Sequence, residues 1–194
     1  MKVIVTGSDG VLGSNLVREL IAREHQVSVL LLKGTTSKTL DGLDINKFYG
    51  NILDIDSLNA AFRGHDIVIH CAASTSMYPA RDPFINKVNI EGTENVIQAI
   101  KDNKIKRLVY VGTANSFGNG SSLEELGDET NEYTAHKYGL DYMDSKKKAQ
   151  DLLLDAVKND GLPAIIVNPT FMIGPYDSKP SSGTMVLAIY NGKV

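Results

Sequence analysis

A short apolar strand, a glycine-rich turn and an amphipathic helix follow one another at the start of the chain, and this order constrains the fold most. The strand is Lys2–Thr6, the glycines are at 7, 10 and 13, and the helix is predicted over Val11–Glu24. Gly7 permits a sharp turn, Gly10 lets the backbone approach a phosphate, and Gly13 lets the helix pack close to the strand. Free N–H groups and the helix dipole favour an anion there. We therefore expect a dinucleotide pyrophosphate at this turn, with a purely structural turn as the alternative.

Composition excludes several classes of protein. The 194 residues suffice for one sizeable α/β core. Lys and Arg number 20 against 23 Asp and Glu, so the net charge of −3 offers no basic surface for nucleic acid. Cys71 is the single cysteine, which excludes an intrachain disulfide framework and is typical of a reducing compartment. No signal peptide and no apolar run of membrane-spanning length is found, so we expect a cytoplasmic protein without a membrane partner.

Apolar runs alternate with helical patterns along the chain. The predicted strands are Lys2–Thr6, Gln26–Leu32, Lys47–Tyr49, Ile67–His70, Arg107–Val111 and Ala164–Val167. The predicted helices are Val11–Glu24, Ser57–Phe62, Val88–Asp102 and Leu140–Asn159. Strands rich in Val, Ile and Leu indicate burial on both faces, and the alternation predicts right-handed βαβ crossovers. We expect an α/β protein with a Rossmann-type, doubly wound parallel sheet and helices on both faces. The polar stretch Gly118–Lys137 is predicted to be a long loop, and such loops are functional or disordered.

Small and polar residues follow the predicted strands where a ligand would bind. Ligands of such sheets bind beyond the carboxyl ends of the strands. Asp54 follows the third strand, Ser74 the fourth, Thr113 the fifth and Pro169 the sixth. This pattern favours a cofactor cleft, although each position taken alone is also typical of an ordinary turn.

Tyr142 and Lys146 are the candidates for proton transfer. They are four residues apart on one predicted helix and therefore share a face. A lysine cation there favours the phenolate and lowers the tyrosine pKa from about 10. The phenol can then exchange a proton with a carbonyl or alcohol oxygen. Thr113 is the candidate hydroxyl that holds this oxygen, and a dinucleotide would supply the hydride.

A second pair has the same spacing. Tyr133 and Lys137 also stand four residues apart, but they lie in the polar stretch before Gly139. Tyr142 opens the amphipathic helical run, so we prefer the pair Tyr142 and Lys146. A half-buried structural tyrosine is the alternative reading of Tyr142. No spacing of histidines and cysteines supports a metal site.

Seven motifs in order resemble those of the extended short-chain dehydrogenases/reductases, the NAD-dependent epimerase/dehydratase family. The matching segments run from Met1 to the last residues and are Thr6–Gly13, Asp54-Ile55, His70–Ala73, Asn89–Thr93, Thr113, Tyr142 with Lys146, and Asn168–Thr170 with Gly174-Pro175. The resemblance implies that Asp54 contacts the adenine and that Thr113, Tyr142 and Lys146 are catalytic. The predicted cofactor-binding residues are Gly7, Gly10, Val11, Leu12, Gly13, Lys33, Asp54, Ile55, Ala72, Ala73, Ser74, Tyr142, Lys146 and Pro169.

Within this family, Asn168–Lys193 is most similar to the dihydroflavonol-reductase-like and hopanoid-associated branch. The resemblance implies an NAD(P)-dependent oxidoreductase that reduces a carbonyl on a small molecule. An NDP-sugar epimerase would use the same groups, and a dinucleotide-binding protein without activity is a third possibility. No acid follows Thr113, where the NDP-sugar dehydratases of the family carry Asp-Glu, so dehydration is disfavoured.

Family members run well past 194 residues, so we expect a truncated chain with a dinucleotide-binding domain over residues 1–170 and the start of a substrate-binding region over 171–194. The predicted second strand ends without the acid that binds the ribose 2′-hydroxyl in NAD enzymes. Lys33 could hold a 2′-phosphate, so NADP is expected and NAD is possible, while an exposed loop lysine is the alternative. The resemblance also implies a possible homodimer through the helices Val88–Asp102 and Leu140–Asn159.

Overall fold

Six strands form one parallel sheet in the computed structural model, which describes residues 1–122, 124–178 and 182–193. They are β1 (Lys2–Thr6), β2 (Gln26–Leu31), β3 (Asn46–Tyr49), β4 (Ile67–His70), β5 (Arg107–Val111) and β6 (Ala164–Val167). Their order is β3-β2-β1-β4-β5-β6, and every neighbouring pair is parallel. From β1, the strands β2 and β3 follow toward one edge of the sheet, and β4, β5 and β6 follow toward the other edge. The strand order therefore reverses between β1 and β4. This confirms the predicted Rossmann-type sheet and places the ligand crevice at that reversal.

Helices cover both faces of the sheet. They are α1 (Val11–Ala22), α2 (Ile55–Phe62), α3 (Pro83–Asn86), α4 (Gly92–Asp102), α5 (Asp141–Asp160) and α6 (Gly183–Tyr190). One buried cluster includes Phe62, Val96 and Leu153, from the face that α2, α4 and α5 cover. The other includes Val17 of α1 and Leu40. β1, β2 and β4 are thus buried on both sides, as their composition predicts. β6, at the edge of the sheet, differs from this prediction, because Ile165 and Val167 are exposed.

Local capping explains where the helices differ from prediction. α1 ends at Ala22 because Glu24 adopts a left-handed φ of 59°. α2 begins at Ile55, two residues before the predicted start, because the Asp54 carboxylate accepts from the Asp56 N–H at 3.1 Å. The predicted helix at Val88 is preceded by α3, which continues through a π-helical turn at Lys87–Glu91 into α4.

The remaining segments carry less regular structure. Among the described residues between Gly118 and Lys137, regular structure is confined to a 3₁₀ turn at Ala135–Tyr138, in agreement with the predicted loop. Beyond β6, α6 is the one helix in the described part of the chain; residues 179–181 and 194, which belong to the predicted second region, lie outside the described residues. No helix in the described ranges is long and apolar enough to cross a bilayer.

Candidate active site

The glycines of the first turn each have a separate structural reason. Gly7 has a φ of +65°, and a Cβ there would lie 2.5 Å from the backbone nitrogen of Ala72. At Gly13 a Cβ would lie 2.2 Å from the Gly7 carbonyl oxygen, so α1 packs against the turn itself rather than only the strand. A Cβ at Gly10 would meet a single atom, the Gly7 oxygen at 3.6 Å. Gly7 and Gly13 therefore shape the backbone, whereas the space above Gly10 stays open.

The start of α1 suits an anion. Its N-cap is Gly10, which has no side chain to cap the helix, and no acidic residue lies in the first turn of α1. The N–H groups at a helix start and the helix dipole bind phosphate oxygens. The open space at Gly10 and this helix start together fit a dinucleotide pyrophosphate.

A cavity of about 510 Å³ lies along the carboxyl ends of the strands. The predicted site residues that line it are Gly7, Gly10, Val11, Leu12, Gly13, Ala72, Ala73, Ser74, Tyr142 and Lys146. Residues from after β1, after β4 and from α5 thus meet in one cleft, although they are up to 139 positions apart in the chain (146 − 7).

Five other predicted residues lie outside this lining: Lys33, Asp54, Ile55, Thr113 and Pro169. The Asp54 carboxylate is engaged as the cap of α2, and the wall next to it consists of Gly50–Leu53. At the end of β2 the wall is formed by Leu32 and Thr35, while Lys33 is exposed. These five residues therefore surround the cleft without forming its surface.

Thr113, which is outside the lining, lies next to Tyr142, which lines the cleft. Thr113 is buried, and its backbone N–H donates to the Asn168 side-chain oxygen at 2.9 Å, which fixes the end of β5 to the end of β6. Burial raises the pKa of Tyr142, and a hydrogen bond with the Thr113 side chain acts in the opposite direction. Two hydroxyl groups that meet in this way can both contact one substrate oxygen.

Lys146 contacts β5 rather than Tyr142. Its Nζ donates to the Tyr110 hydroxyl and to the Val111 carbonyl, each at 2.8 Å. Burial lowers the pKa of Lys146 to about 8. The expected lowering of the Tyr142 pKa by the lysine is therefore wrong for this arrangement, because burial dominates at the phenol and the ammonium lies against Tyr110.

The competing tyrosine has a structural role. The Tyr133 hydroxyl donates to the Asp144 carboxylate at 2.7 Å, which joins the long loop to α5. Burial and this carboxylate raise the pKa of Tyr133. Lys137, its partner by spacing, is exposed. Neither residue lines the cavity, which favours the choice of Tyr142 and Lys146.

Asn89 joins three parts of the site, and its role was not predicted. Its side-chain oxygen accepts from the Ser74 N–H at 2.8 Å, and its amide donates to the Ser74 carbonyl and to Ser145 Oγ at 3.0 and 2.9 Å. It lies in the π-helical turn, a feature frequent at functional sites. Asn89 thus fixes the loop after β4 to α5 beside Lys146.

The segment after β6 is fastened to α1. The Asn15 amide donates to the Pro175 carbonyl at 2.9 Å, and the Arg18 guanidinium lies 3.5 Å from the centre of the Tyr176 ring. Met172 and Asp177, on either side of these contacts, line the cavity. This segment therefore forms one wall of the cleft next to the glycine turn.

Sequence comparison gives one family and several relatives. A model of the NAD dependent epimerase/dehydratase family matches residues 3–193. The chain is 31% identical over 198 residues to the sterol demethylase protein B of Methylococcus capsulatus, covering 100% of this chain and 58% of that protein. It is 30% identical over 184 residues to a putative dihydroflavonol 4-reductase of Synechocystis sp., and this match covers 94% of this chain and 53% of that protein. The chain thus spans about half the length of these curated relatives.

Structural comparison agrees with this result. The UDP-glucose 4-epimerase of Thermus thermophilus, solved as a complex with NAD, superposes with a TM-score of 0.84 at 25% identity. The match covers 96% of this chain and 61% of the epimerase. The chain therefore shares its fold with the matched 61% of that epimerase.

Proposed function

Since the chain belongs to the NAD dependent epimerase/dehydratase family, we propose that it binds a nicotinamide dinucleotide in the cleft and reduces a carbonyl on a small molecule. The observation that carries this proposal is that Tyr142 and the buried Lys146 line the cleft together with the glycine turn, with Thr113 next to Tyr142. Residues 1–170 form the dinucleotide-binding domain in this proposal, and residues 171–194 begin a substrate-binding region.

The residues present fit the dinucleotide. The helix start at Gly10 holds the pyrophosphate, and the wall of Gly50–Leu53 receives the adenine side. Ala72, Ala73 and Ser74, next to the reversal of the sheet, line the middle of the cleft. When bound, the nicotinamide supplies the hydride.

Each of the three polar residues has one task in the reduction. Tyr142 gives its proton to the substrate oxygen as negative charge develops there. Thr113 donates a hydrogen bond to the same oxygen and so fixes its position. Lys146 supplies a positive charge in a buried site, where charges act more strongly than in water. This charge opposes the effect of burial on the phenolate that Tyr142 becomes, without overcoming it in the free protein.

Replacing the two candidate tyrosines in turn tests the assignment. We expect Tyr142→Phe to lower the turnover of NADPH-dependent carbonyl reduction by about 10²–10⁴-fold, the usual contribution of general acid catalysis. Dinucleotide affinity should stay nearly unchanged. Tyr133→Phe is the matched control, because it removes a phenol that contacts Asp144 outside the cleft. A loss of activity in Tyr133→Phe but not in Tyr142→Phe would refute the assignment.

We propose NADP as the cofactor. The described end of β2 presents Leu32 and Thr35 to the cleft and no acid for a ribose 2′-hydroxyl, and Lys33 is exposed beside them. Lys33→Ala should weaken NADPH binding by roughly tenfold, as for one lost charge-assisted hydrogen bond, and leave NADH binding unchanged. Calorimetric titration of both cofactors measures this, and equal affinities in the unaltered protein would overturn it.

Epimerisation is the second candidate, favoured by the likeness to the Thermus thermophilus epimerase. Tyr142 and Lys146 would serve both reactions, but an epimerase returns the hydride to the substrate. Stoichiometric consumption of NADPH with a carbonyl substrate supports reduction. Conversion of an NDP-sugar without net change in the cofactor supports epimerisation.

A further inference from the structure

Strand β5 fixes the ammonium group of Lys146. Its Nζ lies 2.8 Å from the Tyr110 hydroxyl oxygen and 2.8 Å from the Val111 carbonyl oxygen. A lysine ammonium has three N–H donors, so the protein occupies two of them. Lys146 also lines the cleft. The remaining donor is therefore the one available to groups in the cleft.

The contact between Lys146 and Tyr110 is shielded from water. The two residues are 3% and 1% exposed. A buried ammonium that loses an acceptor has no solvent to replace it. Among the described residues, Tyr110 is the only side chain that accepts a hydrogen bond from Lys146.

The two titratable groups at the end of β4 that interact with Lys146, His70 and Cys71, carry no charge near neutral pH. Burial lowers the pKa of His70, at the end of β4, to about 3 and raises that of the adjoining Cys71 thiol to about 12. Burial also raises the pKa of Tyr142 on the same helix and that of Tyr110 itself. Among the residues that the structure describes, no carboxylate pairs with Lys146, and the neutral Tyr110 phenol accepts its hydrogen bond instead.

Tyr110 is in turn held by α4. The Thr93 side chain hydrogen-bonds to the Tyr110 hydroxyl, and Thr93 Oγ1 donates to the Asn89 carbonyl at 2.7 Å. The Asn89 amide donates to Ser145 Oγ, next to Lys146. Linked hydrogen bonds of this kind strengthen one another. The phenol oxygen is consequently a fixed acceptor.

We propose that Tyr110 is a positioning residue for Lys146, whose hydroxyl, together with the Val111 carbonyl, directs the third ammonium N–H into the cleft. The positioning role rests on the contacts above. Only the statement that the third N–H serves Tyr142 and the dinucleotide rests on the proposed function. Tyr110 itself does not line the cavity.

The pKa of Lys146 tests this directly, without any need for catalysis. Protein containing ¹³C-labelled lysine is titrated by NMR, and Lys146→Met identifies the Lys146 signal. Tyr110→Phe keeps the ring and removes the acceptor that favours the charged form, so the Lys146 pKa should fall by about one pH unit. Tyr133→Phe is the control, since its hydroxyl contacts Asp144 and not Lys146. That variant should leave the Lys146 pKa unchanged.

A second variant covers the case that Tyr110→Phe does not fold. Thr93→Val keeps Tyr110 in place and removes its onward partner, so it should lower the Lys146 pKa by less and in the same direction. An unchanged Lys146 pKa in the folded variants would overturn the proposal. A lowered pKa in protein that binds neither NADPH nor NADH would support the positioning role and refute the proposed function alone.

Discussion

Alanine at Gly10 should weaken dinucleotide binding, whereas alanine at Gly13 should lower the stability of the fold, although both residues belong to the same turn. At Gly13 the added methyl would lie 2.2 Å from the Gly7 carbonyl oxygen and 2.7 Å from the Ser8 Cα. Both contacts are with backbone, so the start of α1 must move away from the turn. At Gly10 the methyl meets only the Gly7 oxygen, at 3.6 Å, which is an ordinary contact.

The expected sizes follow from these distances. Overpacking against backbone costs about 3 kcal/mol, and alanine in a helix returns about 1 kcal/mol, so Gly13→Ala should lose about 2 kcal/mol of unfolding free energy. For a chain of this length that corresponds to a Tm lower by roughly 4–8 °C. Gly10→Ala changes an N-cap and should cost less than about 1 kcal/mol. Its methyl occupies space that a phosphate oxygen needs, and should weaken NADPH binding by about 10- to 150-fold.

Differential scanning fluorimetry and calorimetric titration on both variants separate the two effects. Gly10→Ala is expected to keep its Tm within about 3 °C and to lose affinity. Gly13→Ala is expected to show mainly a loss of thermal stability, that is, a lower Tm. The interpretation of the turn as a pyrophosphate site would be refuted by unchanged NADPH affinity in folded Gly10→Ala protein.

Two further predictions concern the charge in the site and the wall above the turn. Lys146 acts as a cation, and burial lowers its pKa to about 8. Reductase activity should therefore be full below that pH and decline as the pH rises through about 8, which a pH–rate profile measures. A flat profile from about pH 7 to about 9 would contradict this. Arg18→Ala should raise the dissociation rate of NADPH about two- to fivefold in stopped-flow displacement, because it removes the cation–π contact that fastens Tyr176 to α1. Arg23→Ala removes only an exposed pair with Glu19 and serves as the control, so equal effects would argue against a role of the Tyr176 contact.

Most of the sheet could be predicted from the sequence because its strands are apolar runs with clear boundaries, except for β3, which is short and largely exposed. The predicted bounds of β1, β4, β5 and β6 agree with the structure, and their parallel order follows from alternation with helices. Helix ends were less predictable, because capping by one side chain decides them. Asp54 shows this: the same carboxylate that resembles a cofactor contact is the cap that starts α2 two residues early.

The candidate site was predictable where backbone shape determines it. Glycines mark positions where two backbone segments approach closely, and they are visible in the sequence itself. The turn of Gly7, Gly10 and Gly13 could therefore be predicted with the correct order of elements. The end of β2 was harder, because a lysine on a loop gives no sign of whether it faces the cleft. There the structure presents Leu32 and Thr35 to the cavity.

Contacts between residues far apart in sequence could not be predicted, and Lys146 is the clearest case. The spacing of four residues pairs it with Tyr142, yet its hydrogen bonds go to Tyr110 and Val111, 36 and 35 positions away. A buried tyrosine in a strand is indistinguishable from core by pattern, since alternation predicts only that it points inward. The register of β4 and β5, which pairs His70 with Tyr110, brings that phenol beneath the carboxyl end of the sheet. The spacing on α5 thus identifies Lys146 as the candidate, while its contacts with β5 determine where its ammonium group lies.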